Sequence, residues 1–181
     1  MSAQQSTSAR GLTLTRAIFY TLAAFLLAVI QSTVGKNISF LGMPPQLTLA
    51  LTAAAAYFYG PLTGGTVGLI SGIFTEALGA VGVSVLPLLY CLVGWFCGMI
   101  KTKTVGQRPK NFIGLALTLL SAALAGTLIT LVRLTVGAGR PNLVSALIYI
   151  VLPELLSTFI YGILIGLLNL FIYFLINKSK T

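Results

Sequence analysis

Two side chains in this sequence, Glu76 and Glu154, are carboxylates that could act as a general acid and a general base. The chain has no histidine, which is the commonest general base and the commonest metal ligand. Its two cysteines, Cys91 and Cys97, lie in one apolar run at a spacing that fits no metal or redox motif. The sequence also lacks a nucleophile elbow and a phosphate-binding loop. We therefore predict that the protein is not an enzyme and has no catalytic residue, metal site or cofactor.

The composition is typical of a membrane protein. Hydrophobic residues make up 57% of the 181 residues and charged residues 7%, and the mean hydropathy is +1.00. Soluble domains contain about 25% charged residues, so this chain has too few to cover a globule with polar surface. A net charge of +9 would suit nucleic acid, but the charges lie in short clusters between apolar runs, as topology signals do. We predict contact with the lipid bilayer and no nucleic-acid partner.

Six apolar segments are candidates for membrane-spanning helices, which need about 20 apolar residues, with about 17 as a lower limit. The predicted spans cover residues 16–34, 45–59, 62–78, 83–100, 111–134 and 154–176. The second span is short, and the dipeptide Gly60-Pro61 predicts a tight turn after it. The predicted fold is an all-α integral membrane protein, a compact bundle of about six transmembrane helices.

The two ends of the chain differ from the regular spans between them. Residues 1–16 are polar and rich in Ser and Thr, which predicts a disordered cytoplasmic tail before a single membrane domain of residues 17–178. The last apolar run, residues 143–176, is too long for one straight span, and Pro153 should break or kink it. Residues 143–152 then form a re-entrant piece, an interfacial piece or a kinked extension of the last helix.

Basic residues predict the orientation of the chain. With six spans both termini lie on one side, and eight of the 11 basic residues fall on that side. Four of these eight lie in the loop of residues 101–110, KTKTVGQRPK. The positive-inside rule therefore predicts cytoplasmic termini and a basic cytoplasmic loop, with Lys36, Arg133 and Arg140 on the other side.

Small residues recur at intervals of four in several of the predicted spans. This spacing puts them on one helix face and lets two backbones approach closely in lipid. The residues concerned are Gly64, Gly68 and Gly72 (continued by Glu76), Gly94 and Gly98, Gly162 and Gly166, and Ala24 and Ala28. They predict a surface for packing, either inside the bundle or against a helix of a partner protein.

Both acids fall in the outer half of the predicted bundle, where Arg133 and Arg140 also lie. An acid within a bilayer costs a few kcal/mol and usually marks a functional or paired site. We therefore predict ion pairing among these four residues, with Glu76 and Arg133 as the leading pair. Glu154 follows Pro153, which is an ordinary way for a helix to start, so Glu76 is the stronger candidate for a functional role.

Four segments, in this order, resemble the family of the rod shape-determining protein MreD. They are GMPPQLTLAL (42–51), GTVGLISGIFTEALGAVGVSVL (65–86), YCLVGWFCGMI (90–100) and VLPELLSTFIYGILIGLL (151–168). The order and spacing of the segments carry the resemblance, since no single motif is specific. The family often has Asp where Glu76 stands, and this difference keeps the charge.

The resemblance implies a non-enzymatic scaffold of the bacterial cell-wall elongation machinery, located in the cytoplasmic membrane and involved in rod shape. Members of this family pair with the bitopic protein MreC. Through MreC they are linked to MreB, to the glycosyltransferase RodA and to a class B penicillin-binding protein. The mechanism implied is docking between helices in the membrane.

The family's fold is similar to that of the substrate-binding S-components of energy-coupling factor vitamin transporters, which gives an alternative function. The pair Ala24 and Ala28 looks like the small-residue pair with which those proteins meet their transport module. Polar residues of the outer half, with residues 143–152, could then line a pocket for a small molecule. Trp95 argues against a vitamin, because it lies toward the inner end of its span and planar vitamins usually stack on aromatic rings near the pocket.

Overall fold

A computed structural model describes residues 3–34, 44–79, 85–100, 112–137 and 147–178, and side chains over a subset of these. Over these ranges the chain is entirely helical, with no strand, as the sequence predicts. The helices are α1 (Ala3–Thr33), α2 (Leu47–Tyr59), α3 (Pro61–Gly79), α4 (Leu86–Ile100), α5 (Phe112–Gly137) and α6 (Leu152–Lys178). A π-helical turn, Leu147–Val151, leads directly into α6.

The helix boundaries follow the predicted spans closely for α2 to α5 and differ at the start of α1. That helix begins at Ala3, whereas the sequence predicts a disordered tail over residues 1–16. Residues 3–16 contain no proline, so no residue there blocks continuation of the helix from the apolar run. The basic loop of residues 101–110 and residues 143–146 lie outside the described residues.

Pro153 does not end the last helical run of the chain. The π-helical turn Leu147–Val151 passes into α6, and Pro153 occupies the first turn of that helix. A proline fits there because the N–H groups of a first turn have no partner within the helix. Of the alternatives for residues 143–152, a helical extension describes the part from Leu147 onward, and residues Ile148–Phe171 form one continuous apolar helix.

Helix α2 is the central element of the bundle. All of its residues from Leu47 to Phe58 are buried. It contacts α1, α3, α4, α5 and α6, and these five form an arc around it in which α1 packs on α3, α3 on α4, α4 on α5, and α5 on α6. The run Ala53 to Ala56 lets neighbouring helices approach from every side. A helix of this length extends about 20 Å, less than the roughly 30 Å of a hydrocarbon core.

The outer surface of the bundle is apolar, and part of its interior is polar. Large apolar side chains of α5 are exposed in one stripe, formed by Ile113, Leu117, Leu120, Leu124, Leu128 and Val132. Thr48, Thr52, Ser71, Thr118 and Ser157 are completely buried. Two helical stretches, Ile113–Val132 and Ile148–Phe171, are long and apolar enough to cross a membrane. The apolar helices Ala17–Thr33, Leu47–Tyr59 and Leu86–Ile100 are shorter.

Candidate functional site

The first turn of α2 lies inside the bundle, so its backbone N–H groups must find partners among other side chains. Gln46, the residue before the helix, donates its backbone N–H to Thr158 Oγ1 of α6 at 3.1 Å. Thr48 donates its backbone N–H to Gln31 Oε1 of α1 at 3.3 Å. The Gln46 side chain makes no capping bond of its own. The start of α2 is therefore fixed by its neighbours, and the Gln46 amide is available for other contacts.

The Gln46 amide joins four helices through a set of buried hydrogen bonds. Its Nε2 donates to Glu154 Oε1 of α6, to Thr130 Oγ1 of α5 at 3.0 Å and to the carbonyl oxygen of Gly126 at 3.3 Å. The Thr130 hydroxyl donates to the same Glu154 oxygen at 2.8 Å. Tyr90 Oη of α4 donates to Gln46 Oε1 at 3.4 Å. We call Gln46, Tyr90, Thr130, Glu154 and Thr158 the polar cluster.

The environment of Glu154 explains why these partners are needed. Its side chain is 5% exposed, and a buried carboxylate is unfavourable unless hydrogen bonds or opposite charge compensate it. The Gln46 amide and the Thr130 hydroxyl both donate to Oε1, and hydrogen bonds to a charged acceptor are stronger than neutral ones. The hydrogen bonds of the cluster join α2, α4, α5 and α6 and so fix the positions of these helices relative to one another.

A second set of hydrogen bonds lies next to the polar cluster, two residues after Gln46 in the chain. Thr48 Oγ1 donates to Gln31 Oε1 of α1 at 3.2 Å and lies 3.1 Å from Thr75 Oγ1 of α3. The Thr75 hydroxyl donates to the backbone oxygen of Ser71 at 2.8 Å. The residues at the start of α2 thus contact every other helix of the bundle through polar groups.

The structure places the two acids in different surroundings. Glu76 is half-buried near the end of α3, and it has no hydrogen bond or ion pair with any other described side chain. Glu154 lies in the first turn of α6, as the sequence predicts, and is also the acceptor at the centre of the polar cluster. The side chains of Arg133 and Arg140 lie outside the described residues, so the ion pairs predicted for them stay predictions.

The glycines of α3 pack against α4 and α2 of the same chain. A Cβ atom at Gly64 would come within 2.5 Å of both Ala56 Cβ and the carbonyl oxygen of Gly94. A Cβ atom at Gly68 would collide with the Tyr90 carbonyl group, and one at Gly72 would lie 2.5 Å from Pro87 Cα. The two backbones are therefore in direct contact along the pair α3–α4.

The remaining small residues named in the sequence analysis also face the interior. Gly94 lies against the Gly64 carbonyl group, and Gly98 lies against Pro61, so both complete the same contact between α3 and α4. Ala24 and Ala28 of α1 are buried, and Ala24 packs in a cluster with Leu51 of α2 and Val67 of α3. These residues all pack against other parts of this chain.

Sequence reasoning missed most of the polar cluster. Gln46 follows Pro44-Pro45 at the start of an apolar run, and an amide at that position was a signal that could have been used. Thr130 and Thr158 carry no such signal, because threonine in an apolar helix commonly bonds its own backbone. Gly126 can lie close to the Gln46 amide because it has no side chain: a Cβ atom there would lie 2.6 Å from Gln46 Oε1.

An apolar groove of about 450 Å³ separates α1 from α6. Side chains of α1 between Phe19 and Ile30 form one wall, those of α6 between Leu164 and Asn169 form the other, and Leu51 of α2 lies between them. Below the groove, Tyr20 Oη donates to Asn169 Oδ1 at 2.8 Å and joins the two helices. The groove is thus separate from the polar cluster and is lined almost entirely by hydrocarbon.

Comparison of the chain with protein-family models, with curated proteins and with solved structures found no match.

Proposed function

We propose that this chain is a multi-pass protein of the bacterial cytoplasmic membrane. The support is the distribution of side chains: large apolar residues face outward, and threonine, serine, glutamine and glutamate lie inside. Hydrocarbon favours this arrangement, because it solvates apolar side chains and leaves polar groups to find partners within the bundle. In water the same surface would be one continuous apolar patch, far larger than soluble monomers expose.

We further propose that the protein is a non-enzymatic scaffold of the cell-wall elongation machinery and contributes to the regulation of cell shape. It would dock through a helix on an MreC-like protein, and through that protein reach MreB, RodA and a class B penicillin-binding protein. One observation carries the proposal. The segments that resemble the MreD family make the contacts that set the bundle: Gln46 of the first binds Glu154 of the last, and the middle two form the glycine-packed pair.

The lining of the groove favours docking of a helix over capture of a vitamin. A small-molecule site is usually a cavity with a few convergent polar groups. The groove between α1 and α6 is apolar, and the Gln46 amide, the Tyr90 and Thr130 hydroxyls and Glu154 Oε1 make hydrogen bonds to one another. The S-component alternative requires a polar pocket, and neither of these two features supplies one.

Affinity purification tests the proposal directly. The tagged full-length chain is co-expressed with the MreC-family protein of the same genome, purified in mild detergent and examined by mass spectrometry for both proteins and small molecules. We expect the MreC-family protein to copurify in a fixed ratio and no vitamin to be present. A tightly bound vitamin together with an ATPase transport module would overturn the scaffold in favour of the S-component.

A further inference from the structure

We propose that the bundle fits a hydrocarbon layer of two thicknesses, so that lipids with shorter acyl chains lie against α3 and α4 than against α5 and α6. We call the outer surface of α3 and α4 the short face and that of α5 and α6 the long face. The inference rests on the proposed location in a membrane, and it adds the class of lipid that each side of the protein binds. It does not depend on the scaffold role.

The two helices of the short face lie side by side. Gly98 of α4 contacts Pro61 at the start of α3, and Pro87 near the start of α4 contacts Gly72 of α3. Helix α4 has 15 residues and extends about 22 Å. The backbone groups at the ends of a helix have no partner within it, and such groups are not stable in hydrocarbon. The length of α4 therefore limits the hydrocarbon layer that this pair can cross.

Charged residues mark nearly the same limits. Lys101 directly follows the last residue of α4, and Glu76 lies one turn after Gly72 in α3. A charged side chain is costly within hydrocarbon, so we expect both residues at the level of the lipid headgroups. Residues 61–75 of α3, before Glu76, carry no charge, and they also extend about 22 Å.

The apolar helices of the long face extend further. The continuous apolar stretch has 20 residues in α5, Ile113–Val132, and 24 residues from the π-helical turn into α6, Ile148–Phe171. These lengths correspond to about 30 Å and about 36 Å. The side chains at both ends of each stretch are exposed, so the lipid-facing surface is as long as the helix. The long face therefore exceeds the short face by about 8 Å or more.

Tilting of helices does not remove this difference. The hydrogen bonds at the start of α2 set one level in the bundle, because they reach Thr75 of α3 and Glu154 of α6. The charged Glu76 comes directly after this level on α3, whereas exposed apolar side chains on α6 continue to Ile148, about 9 Å further along the helix. A long helix can tilt to fit a thinner layer, but a short span cannot be lengthened, so the bilayer thins beside it.

The single tryptophan of the chain, Trp95 of α4, is a natural reporter for the short face. The double variants Trp95→Phe/Ile160→Trp and Trp95→Phe/Leu124→Trp report on α6 and α5, and Trp95→Phe/Leu69→Trp gives a second reporter on α3. Side chains at these four positions are 42–48% exposed, which matches the reporters. Each full-length protein is reconstituted with brominated dioleoylphosphatidylcholine, which quenches tryptophan fluorescence. Unbrominated phosphatidylcholines with myristoleoyl, oleoyl or erucoyl chains, in order of increasing length, then compete with it.

We expect the preference for myristoleoyl over erucoyl lipid to be about twofold greater at the two short-face reporters than at the two long-face reporters, because mismatch has a modest cost per ångström. The same preference at all four positions overturns the inference, and the proposed membrane location then stands, because the brominated lipid still quenches. If the brominated lipid quenches no reporter, the proposed location fails and this inference fails with it. Circular dichroism checks that each variant is folded, and two reporters on each face keep the test decisive if one variant is not.

Discussion

Two pairs of helices, which we call the two halves of the bundle, look alike in sequence but are held together differently. The half formed by α3 and α4 contains glycines at intervals of four and one acid, Glu76; the half formed by α5 and α6 contains Gly162, Gly166 and the other acid, Glu154. In the first half the glycines bring two backbones into contact. In the second, Gly162 and Gly166 face the side chains of Leu115 and Leu119, and the acid is tied to Gln46 and Thr130.

This contrast shows that a stripe of small residues does not by itself determine what its helix face packs against. The spacing selects a helix face, but whether that face meets backbone or a flexible side chain depends on the neighbouring helix. A backbone cannot move without shifting a whole helix, whereas a leucine can change rotamer. The first half should therefore tolerate no added volume at Gly64, Gly68 and Gly72, which face backbone atoms, and the second half should depend on its polar contacts.

The largest expected effect is on Gly68. A Cβ atom at this position collides with the carbonyl group of Tyr90, so Gly68→Ala must push α3 and α4 apart. We expect the free energy of unfolding to fall by about 2–3 kcal/mol, even after the better helix propensity of alanine is included. Unfolding in a denaturing detergent, monitored by circular dichroism, measures this change in free energy.

Gly65 in the same helix provides the matched control. A Cβ atom there would lie 3.7 Å from the Cys91 sulfur and carbonyl oxygen, an ordinary contact distance. Gly65→Ala should leave the free energy of unfolding within about 1 kcal/mol of the parent protein. If Gly65→Ala and Gly68→Ala lowered the free energy of unfolding equally, the contact between the backbones of α3 and α4 would not be what makes this half sensitive to added volume.

The second expected effect is on Gln46, which carries the polar contacts of the other half. Gln46→Leu removes a donor from Glu154 Oε1 and from Thr130 Oγ1, and a buried acceptor that loses its donor is destabilised by about 1–3 kcal/mol. The same detergent titration applies. A double-mutant cycle with Glu154→Leu should give a coupling energy of about 1 kcal/mol or more, and strict additivity would mean that this hydrogen bond does not stabilise the bundle.

A smaller effect is expected for Gly162→Ala in α6. The added Cβ atom would lie 3.3 Å from Leu119 Cδ2, the end of a flexible side chain, and 3.5 Å from Ala50 Cβ. We expect a change within about 1 kcal/mol, because alanine favours the helix by roughly the amount that the tighter contact opposes. Thermal unfolding of this variant beside Gly68→Ala tests the comparison most directly. A loss as large as that of Gly68→Ala would remove the distinction between the halves.

The smallest effect is expected for Glu76→Gln. Since Glu76 is half-buried and makes no hydrogen bond or ion pair with another described side chain, the free energy of unfolding should change by no more than about 0.5 kcal/mol. The ion pair with Arg133 that the sequence predicts would instead make the protein sensitive to changes at either residue. It would be supported if Arg133→Gln destabilised the protein more than the double variant Glu76→Gln/Arg133→Gln does.

The sequence predicts the helices of this fold well because their signals are local. Apolar runs bounded by Gly60-Pro61 and by polar loops place α2 to α5 close to their observed ends, and Pro153 marks the start of α6. The polar cluster has no such signal. Gln46, Thr130 and Glu154 are far apart in the chain, so their meeting depends on how α2, α5 and α6 pack. The role predicted for Glu76 stays a prediction, because the side chain of Arg133 lies outside the described residues.

The central position of α2 has a consequence for how the protein is made. This helix is the second to leave the ribosome, but its neighbours α3, α4, α5 and α6 are synthesised after it. Until they are made, the Gln46 amide at the start of α2 lacks its Glu154 and Thr130 partners. The surroundings of α2 are therefore completed only when α6 has been made, which couples the packing of the second helix to the synthesis of the last.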